Sequence, residues 1–98
     1  MATKHDTTAR RIANKKGASY NRGKGPDIKT TRQVIEVETV NSIKDGARQL
    51  HRYRQSVYVA GADDAATKAA FEHYQGTTIG VMDPSGKIVR RSTRQKSS

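Results

Sequence analysis

Apolar residues gather in three short runs: Val34-Ile35-x-Val37-x-x-Val40, Val57-Tyr58-Val59 and Ile79-Gly80-Val81-Met82. Each is brief and rich in β-branched residues, which predicts buried strands over 33–40, 56–60 and 77–82. The first is apolar on both faces, as in a strand covered on both sides. Between the runs the spacing turns helical. Ile43, Ala47, Leu50 and Arg54 fall on one stripe, so a helix is expected over 42–55, with Ser42 and Asp45 as a variant capping box. Asp63 and Asp64 lead a second helix to about residue 74, with acids where the helix dipole favours them, and Gly76 ends it.

The flanks are more polar. Residues 1–6 read as frayed, and 7–16 as a short basic helix contacting the body through Ala9, Ile12 and Ala13, stopped by Gly17. Gly23, Gly25 and Pro26 place a loop over 19–26, before a short strand over 27–29 and a turn at 30–32. Asp83-Pro84-Ser85-Gly86 is a turn returning through a strand at 87–90. Residues 91–98 have no packing pattern and are expected to be a disordered basic tail. The order is α-β-β-α-β-α-β-β. It predicts one α/β domain over 1–90 with a mixed sheet flanked by helices, antiparallel at hairpins and parallel at helical crossovers.

Composition narrows the picture. The chain has 98 residues, 33% of them hydrophobic, with no Trp and one Phe, so Ile, Val, Ala and Tyr must build the core. The absence of Cys removes thiolate chemistry and suits a cytoplasmic protein. No apolar stretch has membrane-spanning length, and the N-terminus has no signal-type apolar block. The net charge is +10. It is concentrated at the ends: residues 1–32 hold nine Lys/Arg against Asp6 and Asp27, and residues 90–98 hold four against none. Such asymmetry fits a polyanion partner, the plainer reading being a solvated basic surface. An anionic membrane fits less well, since neither basic segment has an apolar face with aromatic anchors.

Candidate chemistry lies in Pro26-Asp27 and Glu36-Val37-Glu38. Strand alternation puts Glu36 and Glu38 on one face, about 7 Å apart. If 27–29 pairs with the following strand through the turn, Asp27 falls opposite Glu36, close enough to share a cation. Oxygen donors suit Mg²⁺ or Mn²⁺. Without a metal, three such carboxylates would repel and raise their own pKa values. The alternative is an exposed polar face on an edge strand, with Asp27 as a turn cap. His5, His51 and His73 lack zinc spacing and read as surface residues. Tyr20 is either a base-stacking platform or a packing anchor. Gly23-x-Gly25 precedes a strand, so it is not a dinucleotide phosphate loop.

Pro26-Asp27, then Ile35-Glu36-Val37-Glu38, then Gln49-x-x-x-Tyr53 resemble the PD-(D/E)XK restriction-endonuclease-like superfamily, over roughly 7–90. The chain is similar to the small resolvase and RecB-like nuclease cores. The resemblance implies metal binding by Asp27, Glu36 and the Val37 carbonyl, with Glu38 binding a second metal or accepting a proton from water. It implies that Gln49 and Tyr53 position nucleic acid; the basic residues Arg10, Arg11, Lys15, Lys16, Arg22 and Lys24 are expected to neutralise flanking phosphates. Two departures stand out. The family's Lys is Glu38 here, with Lys29 or Lys44 as candidate substitutes, and the first helix lacks the family's frequent Glu. The expectation is a Mg²⁺- or Mn²⁺-dependent endonuclease, structure-directed or weakly specific, acting on DNA rather than RNA and possible as a homodimer. The alternatives are a degenerate nucleic-acid-binding module or partner subunit, and a ribonucleoprotein component preferring RNA.

Overall fold

The computed structural model describes residues 3–21 and 26–94. Five strands form one mixed sheet in the order β1-β2-β3-β4-β5: β1 (Ile28–Lys29), β2 (Gln33–Glu38), β3 (Ser56–Gly61), β4 (Gly80–Met82) and β5 (Ile88–Arg90). The inner pairs β2–β3 and β3–β4 are parallel, and the outer pairs are antiparallel hairpins. Helix α1 (Lys4–Lys15) covers one face. A 3₁₀ segment (Val40–Asp45), α2 (Gly46–Leu50) and α3 (Asp64–His73) cover the other. The crossovers from β2 to β3 and from β3 to β4 each carry a helix, as parallel pairing requires.

Alternation along β2 explains why it is apolar throughout. Ile35 and Val37 pack on Ala9, Ile12 and Ala13 of α1, together with Tyr58, Ala60 and Met82. Val34 faces the opposite layer, with Ile43, Leu50, Val57, Val59, Ala66, Ala70 and Tyr74. Tyr74 ties that layer together: its hydroxyl donates to the Ile43 carbonyl and accepts from the Ala47 amide at 3.1 Å.

Three local differences from the sequence reading matter for the site. Helix α1 begins three residues earlier than expected because Thr3 caps it, its hydroxyl accepting from the Asp6 amide at 3.1 Å. Residues 4–6 are therefore helical rather than frayed, and Gly17 (φ 65°) ends the helix as expected. The expected helix over 42–55 is a 3₁₀ segment followed by only five α-helical residues. Its reciprocal cap lies at Thr39 and Ser42, not at Ser42 and Asp45. Finally, residues 91–94 are held to the body. Ser92 Oγ accepts from Val57 N at 3.2 Å and donates to Thr78 O at 2.8 Å. The Arg94 guanidinium donates to the Leu50 and Tyr53 carbonyls at 2.7 and 2.9 Å. Those bonds hold the segment that follows α2, where the Leu50 carbonyl also accepts from Tyr53 N at 3.2 Å. Residues 95–98 lie outside the described residues. No helix among the described residues is long and apolar enough to cross a membrane.

Candidate metal centre

The β1–β2 hairpin sets the register on which the site depends. Ile28 pairs with Ile35 and Lys29 with Val34, so Asp27 falls opposite Glu36. Asp27 N donates to Glu36 Oε2 at 3.3 Å, and Asp27 Oδ2 accepts from Val37 N at 2.8 Å. Continued one step further, the register sets Pro26 opposite Val37. Proline has no N–H, so it cannot engage the Val37 carbonyl, and the ladder ends beside the acids. The carbonyl thus stays a candidate donor at the position the sequence reading gave it.

The acids are not an exposed polar face. Asp27 and Glu36 are each 7% exposed and Glu38 is 6% exposed. Buried carboxylates need partners, and here they meet one another. The Glu36 carboxyl is pushed up to about 9, by burial first and then by the Asp27 charge. Burial also lifts Glu38, to about 6, against the lowering effect of a hydrogen bond from Ser42. Without a cation such clustered acids hold their protons to higher pH, and a bound cation would displace them as counter-charge.

A histidine completes the group. His5 Nε2 lies 3.0 Å from Asp27 Oδ2, and donor atoms of His5, Asp27 and Glu36 all fall within 4.8 Å of one another. The sequence reading assigned His5 to the frayed surface. The overlooked signal was Thr3-x-x-Asp6, which starts the helix early enough to carry His5 in its first turn. Tyr20 and Asp6 flank the ring: the Tyr20 hydroxyl is 3.2 Å from His5 Nδ1 and donates to Asp6 Oδ1 at 2.5 Å. Contact with Asp27 raises the His5 pKa, outweighing burial. His51 and His73 are exposed, as expected.

Other expected site residues lie elsewhere. Gln49 is exposed on α2, while Tyr53 lies beyond the helix end, half-buried with Lys29 Nζ 5.3 Å from its ring. The two therefore do not form a one-face helical pair. Lys29 lies at the start of the hairpin turn with its ammonium over the Tyr53 ring, and Lys44 lines a cleft with Glu72 and His73. Arg10 and Arg11 are exposed on the outer side of α1. Lys15 and Lys16 stand at its other end, about 15 Å from His5 at helical rise, with Lys15 Nζ donating to Ser85 O at 3.1 Å. Arg22 and Lys24 lie outside the described residues. Comparison with known protein families, curated proteins and solved structures finds no match to this chain.

Proposed function

We propose that this protein is a metal-dependent nuclease with a restriction-endonuclease-like arrangement of its sheet, hydrolysing phosphodiester bonds in DNA. The observation that carries this reading is the convergence of His5, Asp27 and Glu36 donor atoms within 4.8 Å, two of them on buried carboxylates. The donor set fits a small divalent cation. Two carboxylates suit Mg²⁺ or Mn²⁺, and the imidazole moves the preference toward Mn²⁺. A cation held there supplies Lewis acidity at a phosphate oxygen and makes water easier to deprotonate.

The chain's own residues do the rest. Asp27 and Glu36 are fixed by backbone contacts across the hairpin, so the donor geometry exists before a ligand arrives. Burial pushes the carboxyl of Glu38, two residues on and outside the trio, up to about 6. It is suited to take the proton as water attacks phosphorus. The basic N-terminal segment holds the polyanion without reading its sequence.

One observation favours a second reading, a nucleic-acid-binding module with a degenerate site. The position matching the family Lys is Glu38, and the two candidate substitutes are placed elsewhere, Lys29 against the Tyr53 ring and Lys44 in a cleft with Glu72 and His73. Titrating Mn²⁺ and Mg²⁺ while following amide shifts, then adding labelled branched and duplex DNA, separates the two. Shifts at His5, Asp27 and Glu36 with metal-dependent cutting support the nuclease. DNA binding with no metal response overturns it in favour of the module.

A further inference from the structure

At the opposite end of the sheet from the carboxylates, the end of α1, the hairpin turn and the start of β3 enclose a cleft of about 790 Å³. Lys16, Gly17, Lys29, Thr30, Thr31 and Gln55 form most of its wall, and no acidic residue does. Neither lysine has an ion-pair partner among the described residues, although Lys4 and Arg48 both do. The Thr30 hydroxyl is consumed in the turn, where it accepts from Arg32 N and Gln33 N. That leaves the Lys16 ammonium and the Lys29 ammonium, the latter 5.3 Å from the Tyr53 ring, with the Thr31 hydroxyl and the Gln55 amide, as the candidate donors lining the cleft. Partial burial already costs Lys16 some of its charge stability, and neighbouring Lys15 adds to that cost. An anion in the cleft would relieve it.

We infer that this cleft binds the phosphodiester backbone of a nucleic acid, as a second contact separate from the carboxylate site. Geometry links the two. Lys29 lies two residues from Asp27, about 7 Å along the hairpin strand, and alternation directs both to the same face. A backbone crossing the carboxylates can therefore continue past Lys29 and Tyr53 toward Lys16. The cleft supplies point charges and hydrogen-bond donors without base-reading geometry, so it positions rather than specifies. This inference requires polyanion binding but not catalysis, so it stands or falls apart from the nuclease reading.

The test is a duplex DNA titration in EDTA, read by anisotropy across a salt series, with amide shifts recorded in parallel. Wild type should show shifts at Gly17, Lys29, Thr30 and Thr31. The pair K16Q and K29Q together should lower the slope of log K against log salt by about 1.8, at roughly 0.9 per phosphate contact. K68Q, an exposed lysine on α3, serves as control and should leave the slope unchanged. An unchanged slope in the double variant, or DNA shifts that avoid the cleft, overturns the inference. So does a drop matched by K68Q, which would mean general charge loss. If D27N abolishes cutting while the cleft variant keeps its slope defect, both readings hold. A slope defect in a protein that never cuts leaves the cleft and removes the nuclease.

Discussion

Asp27 accepts a hydrogen bond from the Val37 amide at 2.8 Å, so the first acid of the site is fixed by the backbone of the strand carrying the other two. The same carboxylate oxygen faces His5 Nε2 at 3.0 Å, leaving one group to organise strand, helix and cation site together. Asp27→Asn keeps an acceptor for the Val37 amide while removing the charge. The variant should stay folded, bind Mn²⁺ at least tenfold more weakly, lose cutting and keep its DNA affinity. Calorimetry, an amide spectrum and a cleavage assay check this together. Full Mn²⁺ affinity in the variant would remove Asp27 from the ligand set.

His5 should control which metal is held. An imidazole nitrogen favours Mn²⁺ over Mg²⁺ relative to an all-oxygen site. His5→Ala should therefore cost more Mn²⁺ affinity than Mg²⁺ affinity, narrowing the gap between them. Tyr20→Phe removes the hydroxyl beside His5 Nδ1 and should weaken Mn²⁺ by about 10-fold, the low end for a lost outer-shell partner. Equal losses for both ions in His5→Ala would show that the ring is not a ligand.

The hairpin register and the sandwiched β2 were legible because alternation and turn length leave few choices: Asp27 does face Glu36, as the spacing suggested. The five-stranded mixed sheet between helical layers followed from the same runs. His5 was not legible because it precedes the apolar positions of α1, whereas a Thr cap needs no apolar stripe beside it. Gln49 and Tyr53 look like a helical pair in sequence. Yet Arg94, more than forty positions away, takes the carbonyls where that helix stops, and no local rule can see such a partner. Ser92 is hidden for the same reason.

Ser92 makes the chain beyond β5 part of the fold. Ser92→Ala leaves the buried Val57 amide without its partner, while the Thr78 carbonyl keeps its bond from Thr93 N at 3.1 Å. A loss of about 1–3 kcal/mol is expected, against less than about 0.5 for Gln75→Ala, an exposed residue just past α3 that serves as the control. Urea midpoints decide it, and a Ser92→Ala value within the control range would make residues 91–94 dispensable.

Gly46 begins α2 where the helix presses on the sheet. A Cβ there would sit 2.7 Å from Val59 Cγ2 and 3.1 Å from the Tyr74 hydroxyl oxygen. Val59 is a stiff β-branched core residue, so it yields little. Gly46→Ala should cost about 1–3 kcal/mol despite alanine's better helix propensity. A stabilised variant would mean that α2 can shift outward freely.

The acids themselves should make the metal-free protein less stable as pH rises. Glu36 carries a folded pKa of about 9 against an ordinary 4.5, and Glu38 one of about 6. Below 4.5 both states hold these protons and nothing is lost. Above it the unfolded chain ionises first, the folded state binds more protons, and stability falls until the folded groups ionise in turn. His5 adds the same sign: its raised pKa stabilises the fold below the unfolded value, and that contribution disappears as pH passes the folded one. In EDTA, urea midpoints should therefore drop between about pH 5 and about pH 8, with Glu36 contributing at most about 1.4 kcal/mol per unit. Glu36→Gln should flatten this dependence and raise stability at the alkaline end, while abolishing stabilisation by Mn²⁺. Metal binding by wild type near neutrality should release about one proton, chiefly from Glu36, measurable by calorimetry in buffers of different ionisation enthalpy. A flat profile in EDTA, with no proton released on Mn²⁺ addition, would mean that Glu36 is ionised in the metal-free fold and that the carboxylates are not held together as described.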